Sequence, residues 1–430
     1  MTRTVFAAAL TVTLGFAAGD GDWAQWRGPN WDGVARGDAP LKWSDTEHIK
    51  WKAEVAGRGH SSPVVWGDRI FLTTSVPTQP GGIPAPAGGR GGSRGPQPEQ
   101  KLMLMCFDRK TGKLMWERVA KVAVPHEGYH PQYGSFASNS PVTDGKHVFA
   151  FFGSRGVYCY DLDGNKVWEK DFGVQLKMFN TFGEGSWPAL DGNTLLILMD
   201  HEGDSFLVAL DKSTGRELWR ANRTDGNTNW SGPVVITYQG KKQVVVSASR
   251  KVHAYDFETG KPIWEVAGLG QNTIPAPVTD GSILIAMSGF RNPNLLAIRL
   301  GREGDLTGTD AIAWQNQRGN SYTPSPVLAD GKLYMLTDSG MLSCLDVKTG
   351  TPFYQQQRLP KPYNFKASPV AANGKLYLAS EEGDVIVVKM GEKFEVLATN
   401  TLDGQFFVAT PAVMDGEIYL RGQNTLFAIR

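Results

Sequence analysis

Apolar residues alternate with polar ones in short runs along almost the whole chain, a period of two that places one face of a β-strand in a core. Residues 325–354 show the pattern most fully: SPVLADGKLYMLTDSGMLSCLDVKTGTPFY. A Ser-Pro start leads through the Asp330-Gly331 turn into one strand, and the Gly340 turn opens a second that ends at Asp346. The Thr349-Gly350 turn then leads to an aromatic stop at Tyr354. Asp-Gly and Thr-Gly pairs supply the positive φ that tight hairpins need, so the segment reads as most of a four-stranded antiparallel meander. Such a unit leaves a face uncovered alone, and copies of it are expected.

The copies are found from the proline that opens each: Pro63, Pro141, Pro188, Pro233, Pro277, Pro326, Pro369 and Pro411. After a first interval of 78 residues the spacing stays between 42 and 49. A period in the forties with strand rather than helix periodicity predicts an all-β, eight-bladed β-propeller of four-stranded blades. The eighth unit stops at Arg430 after its third strand, while residues 49–52 read as a blade end with no blade before them. The N-terminal strand near Trp51 is therefore expected to complete the last blade, which removes an open sheet edge. In most blades an aromatic follows four residues after the turn glycine, as in Gly112 to Trp116, Gly164 to Trp168, Gly215 to Trp219 and Gly260 to Trp264. These rings are expected to fill the wedge between neighbouring blades.

Around the propeller, expected over residues 49–430, three segments differ in composition. Residues 1–19 combine Arg3, an apolar run over 5–16 and a small-residue exit, the pattern of a secretory signal peptide too short to span a bilayer. Residues 20–48 form an aromatic leader with Trp23, Trp26 and Trp31 around Arg27, expected to dock on the domain body with the arginine in surface packing. Residues 77–100 are rich in Gly, Pro and Arg and are expected to be a disordered insertion. Together with residues 124–136 they fall on connections that leave the same face of the ring; the Asp-Gly and Thr-Gly turns leave the other. The loop-rich face is the expected working surface.

Lys plus Arg total 44 against 43 for Asp plus Glu, which gives no global charge for nucleic acid or an acidic membrane. Cys106, Cys159 and Cys344 each stand two residues before an aspartate that ends a third strand, where sheet geometry predicts small buried residues and no disulfide. No G-x-S-x-G elbow, Walker loop or H-E-x-x-H sequence occurs. The Asp-Gly pairs read as hairpin turns rather than calcium loops. His60, His126, His130 and His201 fall on several connections of the loop-rich face; nothing in their spacing forces them onto one ion, and solvated histidines rather than a metal site are expected. Ahead of the blade-opening prolines, His60, Asn139, Trp187, Trp230, Tyr322 and Lys366 are placed at the channel mouth as candidate ligand- or partner-binding residues.

The repeat SPV..DG..........(A/C)(L/Y)D..TG...W, as in residues 233–264, resembles the pyrroloquinoline-quinone-like repeat over nearly all of the chain after the expected signal peptide. The stretch from WRGP at residues 26–29 to residues 61–74 is similar to bacterial PQQ-binding-like β-propeller proteins. The resemblance implies one of two kinds of protein: noncatalytic periplasmic propellers of the BamB type, or quinoprotein alcohol and glucose dehydrogenases. For the dehydrogenases it implies a vicinal cysteine disulfide, calcium ligands and an aspartate base; this chain has no adjacent cysteines and no C-x-x-C-H haem segment. The expectation is a periplasmic or secreted monomer that is noncatalytic, needs no cofactor and binds a protein or envelope component. The alternative is an oxidoreductase using PQQ with calcium.

Overall fold

The computed structural model describes residues 22–79, 91–93 and 96–430, so the expected signal segment lies outside the described residues. Among the described residues the strands form eight sheets in ring order, as the repeat predicts. In blade I the order from the axis outward is Val64–Trp66, Arg69–Pro77, Gln100–Asp108 and Leu114–Ala123. Blade VIII is made of Ala412–Met414, Glu417–Arg421 and Thr425–Ile429, and its outer strand is Ile49–Glu54, with Trp51 opposite Ala428. The ring is therefore sealed by the two ends of the chain, and the third strand of blade VIII is not left as an open edge.

Two sets of repeated contacts hold neighbouring blades. On the outside, each tryptophan at the repeat position donates its indole N–H to a carbonyl of the next blade: Trp51 to Arg109, Trp116 to Leu162, Trp168 to Lys212, Trp219 to Phe257 and Trp314 to Val347, each at 2.9 Å. The same rings lie over the turn glycine of that blade, so a Cβ added at Gly112 would come within 2.6 Å of Trp51. The Thr-Gly turn thus needs glycine twice, for its positive φ of 73° and for the ring above it. Trp264 departs from the series because the long turn of blade V folds back as Gly304–Asp305 on the outer edge of blade IV, and its indole bonds Gln243 instead.

Near the axis, five of the eight residues just before the opening prolines form a hydroxyl girdle. The Ala276 amide donates to Ser325 Oγ, Ser325 to Ser368, Ser368 to the Thr410 hydroxyl, Thr410 to Ser62 and Ser62 to Ser140, at 2.8–3.1 Å. Small hydroxyl side chains satisfy buried amides here at no cost in space. At blades III and IV the girdle gives way to Trp187, whose ring sits where a Cβ on Gly232 would stand.

The three cysteines are buried and free of disulfides, and burial pushes each thiol up to about 12. A thiolate is the reactive form, so an aromatic disulfide reagent at pH 8 is expected to find no rapidly reacting thiol in the native protein and three after denaturation.

The leader does more than dock. The backbones of Trp23 and Val65 pair at 2.9 Å beside the inner strand of blade I, and the Ala24 carbonyl accepts from Thr143 of blade II. Trp26 lies 4.1 Å from Trp187 of blade III, and Arg27 donates to the Ser325 and Pro326 carbonyls of blade VI. Val34–Ala35 then runs parallel to Ala371–Ala372 of blade VII. These contacts reach opposite sides of the ring, so the leader fills the central channel. Arg27 is fully buried rather than packed on the surface as its neighbours suggest; burial lowers its pKa to about 10, against the pull of Asp32.

The segment expected to be disordered is tied down where it is described. Pro77 pairs with Gln100, the Gly92 amide donates to Asn180 and the Gly128 amide donates to Ser93; residues 80–90 and 94–95 lie outside the described residues.

Candidate functional site

With its channel filled from the side of the short turns, the ring keeps a cavity of about 740 Å³ open toward the loop-rich face. Trp26, at the tip of the leader, lines its floor. The walls come from the connections between blades and between second and third strands, where loops carry side chains over a rigid ring. Five of the six candidate residues line it: His60, Trp187, Trp230, Tyr322 and Lys366. Asn139 does not. It borders two smaller crevices toward Phe152 and Glu184, and its carbonyl accepts the Thr73 hydroxyl, because Ser138 and Ser140 on either side of it take the cavity-facing positions. Trp187 is also less available than its position implies, since Trp26 covers it and 6% of it is exposed.

The cavity combines half-buried aromatic rings with one compact charge cluster. Phe182 and Trp230 lie 6.4 Å apart on one side, with the Trp230 indole donating to the Gly183 carbonyl. Opposite them, His130 stacks on Tyr133 at 4.7 Å, and the Lys366 ammonium sits 4.5 Å above the Tyr133 ring. That ammonium is shared by Glu381 at 3.1 Å and Asp338 at 3.6 Å. The other Asp338 oxygen accepts the Tyr322 and Thr323 amides at 2.8 and 3.2 Å, which ties the Tyr322 loop to the charge cluster. Burial raises the Glu381 carboxyl against the pull of Lys366, and burial lowers His130, helped by Lys366 and Arg58.

The loop histidines are not solvated as expected. His130 belongs to the cavity, His201 is buried beside Ser205 and His126 Nε2 lies 2.8 Å from the Leu176 carbonyl, because the long loops fold onto one another. Sequence reasoning missed Tyr133, Phe182, Asp338 and Glu381. The acids had a readable signal, since Asp200, Asp338 and Glu381 all come one or two residues after the second strand of their blades. Aligning blades on that strand end, rather than on the proline, brings them into register.

His60 carries a pH dependence. Burial first, then Arg58 and Arg421, lower its pKa to about 3 from 6.5, so the ring is neutral in the folded protein at pH 7. A depressed histidine costs nothing above its unfolded pKa. Below 6.5 the unfolded chain takes up a proton that the folded one refuses, and stability falls until the folded pKa is reached. Between pH 7 and 4.5 this group alone is expected to remove about 2–3 kcal/mol, and His60→Gln should flatten the urea-midpoint profile by that amount.

The eight-bladed propeller of these repeats is a fold that the chain shares with an assembly factor and with quinohemoprotein dehydrogenases of known structure. The chain belongs to the family described as "Outer membrane protein assembly factor BamB", which matches residues 100–356. The BamB of Burkholderia pseudomallei (strain K96243) is 25% identical over 309 residues, covering 71% of this chain and 58% of that protein. The chain spans about half the length of the curated BamB relatives it matches, between 42% and 58%. Among solved structures, BamB from Moraxella catarrhalis superposes with a TM-score of 0.58 at 11% identity, covering 89% of this chain and 99% of that one. Quinohemoprotein alcohol dehydrogenase from Comamonas testosteroni gives 0.65 at 12% identity, covering 96% and 81%. At such identities the structures share the fold. No helix of the described residues is long and apolar enough to cross a membrane.

Proposed function

We propose that the chain is an exported, noncatalytic propeller that acts as a monomer and holds a protein of the cell envelope on its loop-rich face. The observation that carries this reading is the cup itself. Its aromatic rim of Tyr133, Phe182, Trp230 and Tyr322 comes from several different loops, and its floor is closed by Trp26. A closed floor favours insertion of a partner's side chains or loop end over threading, and half-exposed aromatics give large contact area at low entropy cost. Membership in a family of assembly factors and the apolar segment at residues 5–16 support the same reading.

The dehydrogenase reading draws on the likeness to quinohemoprotein alcohol dehydrogenase. The residues of the cup do not fit its cofactor. A tricarboxylate quinone needs positive charge, and Lys366 is already shared by two carboxylates. Calcium needs about six to eight oxygens. Of the acids in the lining, Asp338 is committed to two amides and Lys366, while both oxygens of Glu184 accept from Ser154.

A photo-crosslinking amino acid at Tyr322 is expected to trap an envelope protein in intact cells, and the same group at Thr349 on the turn face is expected to trap none. Equal yield at both positions sinks the assignment of the working face. Purified protein with pyrroloquinoline quinone and calcium is expected to retain no chromophore and reduce no dye with alcohols or sugars; turnover there sinks the noncatalytic reading.

A further inference from the structure

The connection that carries Trp230 is anchored by a second cluster, outside the cup, at the joint between blades III and IV. Asp225 lies on that connection; His253 and Glu265 stand opposite each other on the third and fourth strands of blade IV. One ligand-type atom from each lies within 4.8 Å of the other two. His253 is 93% buried and its ring makes no hydrogen bond among the described residues, yet both ring nitrogens face carboxylates: Nε2 faces Asp225 Oδ2 and Nδ1 faces Glu265 Oε2, each at 3.5 Å. A neutral imidazole has one N–H, so one of its lone pairs necessarily faces a carboxylate oxygen. An acceptor facing an acceptor is unfavourable until a cation comes between them.

The cation that stands there in the protein itself is incomplete for this purpose. Lys251 Nζ lies 2.8 Å from Glu265 and 3.7 Å from Asp225, but an ammonium has only donors and no way to join the imidazole lone pair. Its side chain is one third exposed. Asp305 lies beside Glu265 on the added edge strand and supplies further negative charge. Asp225 and Glu265 are open to solvent on one side, so an ion has an entry path and keeps room for water.

We propose that Asp225, His253 and Glu265 form a binding site for a divalent first-row transition-metal ion, with one imidazole nitrogen and two carboxylates as protein ligands and water completing the shell. One nitrogen with two oxygens suits zinc and its neighbours and is poor in oxygens for calcium. The ion replaces Lys251 as the neutralising charge and ties the III–IV connection to blade IV. That connection leads through Asn229 to Trp230 at the cup, so metal binding braces one wall of it. The site stands on its own geometry, whatever the cup binds.

The test uses untagged full-length protein stripped with a chelator and dialysed against Zn²⁺, with elemental analysis and thermal unfolding as readouts. One zinc per chain and a raised unfolding temperature are expected. Asp225→Asn and Glu265→Gln, both on partly exposed side chains that keep the fold, are expected to lower affinity at least tenfold and remove the thermal shift. Lys251→Met removes the competing cation and is expected to strengthen binding. No zinc uptake, uptake unchanged in both carboxylate variants, or weaker binding in Lys251→Met overturns the proposal.

Discussion

Trp51→Ala is expected to destabilise the protein by about 3–5 kcal/mol, the cost of emptying a buried tryptophan site. The ring of Trp51 is 9% exposed, lies on Gly112 of blade I and donates to the Arg109 carbonyl at 2.9 Å. Its backbone sits in the strand that completes blade VIII. One side chain therefore fastens to blade I the outer strand of blade VIII, which joins the rest of its own blade through pairing with Thr425–Ile429 and not through a hairpin turn. In the other blades the outer strand also follows the third strand through a covalent turn, which partly compensates an equivalent loss. Trp219→Ala, at the III–IV junction, makes the same contacts to Phe257 and Gly260 and serves as the control. Urea midpoints should fall for both and further for Trp51→Ala, and unfolding of that variant should begin with exposure of blade VIII. If the two variants are equally stable, closure by the N-terminal strand carries no special weight.

The ring and its seal were legible because they rest on repeated local chemistry. Proline, Asp-Gly, Thr-Gly and tryptophan recur at fixed offsets, and the 49–52 segment matches a blade end in type and spacing. The cup was only partly legible. His60, Trp230, Tyr322 and Lys366 were found because they precede an alignable proline, whereas Tyr133 and Phe182 sit in long loops with no repeat to align. The leader was misjudged for a different reason. Arg27 is held by carbonyls some 298 and 299 residues away, and no local pattern reports that a charged residue will be enclosed by the far side of a ring. Its guanidinium presents several donors in a plane, which suits a channel lined by inner-strand carbonyls. Residues 22–54 thus do two jobs: the first part fills the axis and the last part seals the rim.

The second large effect is expected at Arg223. Its Nε and Nη2 meet the two Asp200 oxygens at 2.7 and 3.1 Å, with side-chain exposures of 0% and 1%, and Tyr255 OH completes the set. Attraction to Asp200 and Tyr255 outweighs burial and holds the guanidinium above its ordinary pKa. A buried pair of this kind adds little over a well-packed apolar pair, but removal of one partner strands a charge in the interior, at about 3–5 kcal/mol. Arg223→Met should therefore lower the urea midpoint sharply, while the double variant Arg223→Met with Asp200→Leu should recover most of the loss. Asp200 also accepts the Asn229 amide at 3.2 Å, immediately before Trp230. The single variant is accordingly expected to loosen the Trp230 wall and shift tryptophan emission to the red, and the double variant to restore stability without restoring that wall, because Asn229 has lost its acceptor. Full recovery of both readouts would mean that the pair supports the fold alone and has no part in shaping the cup.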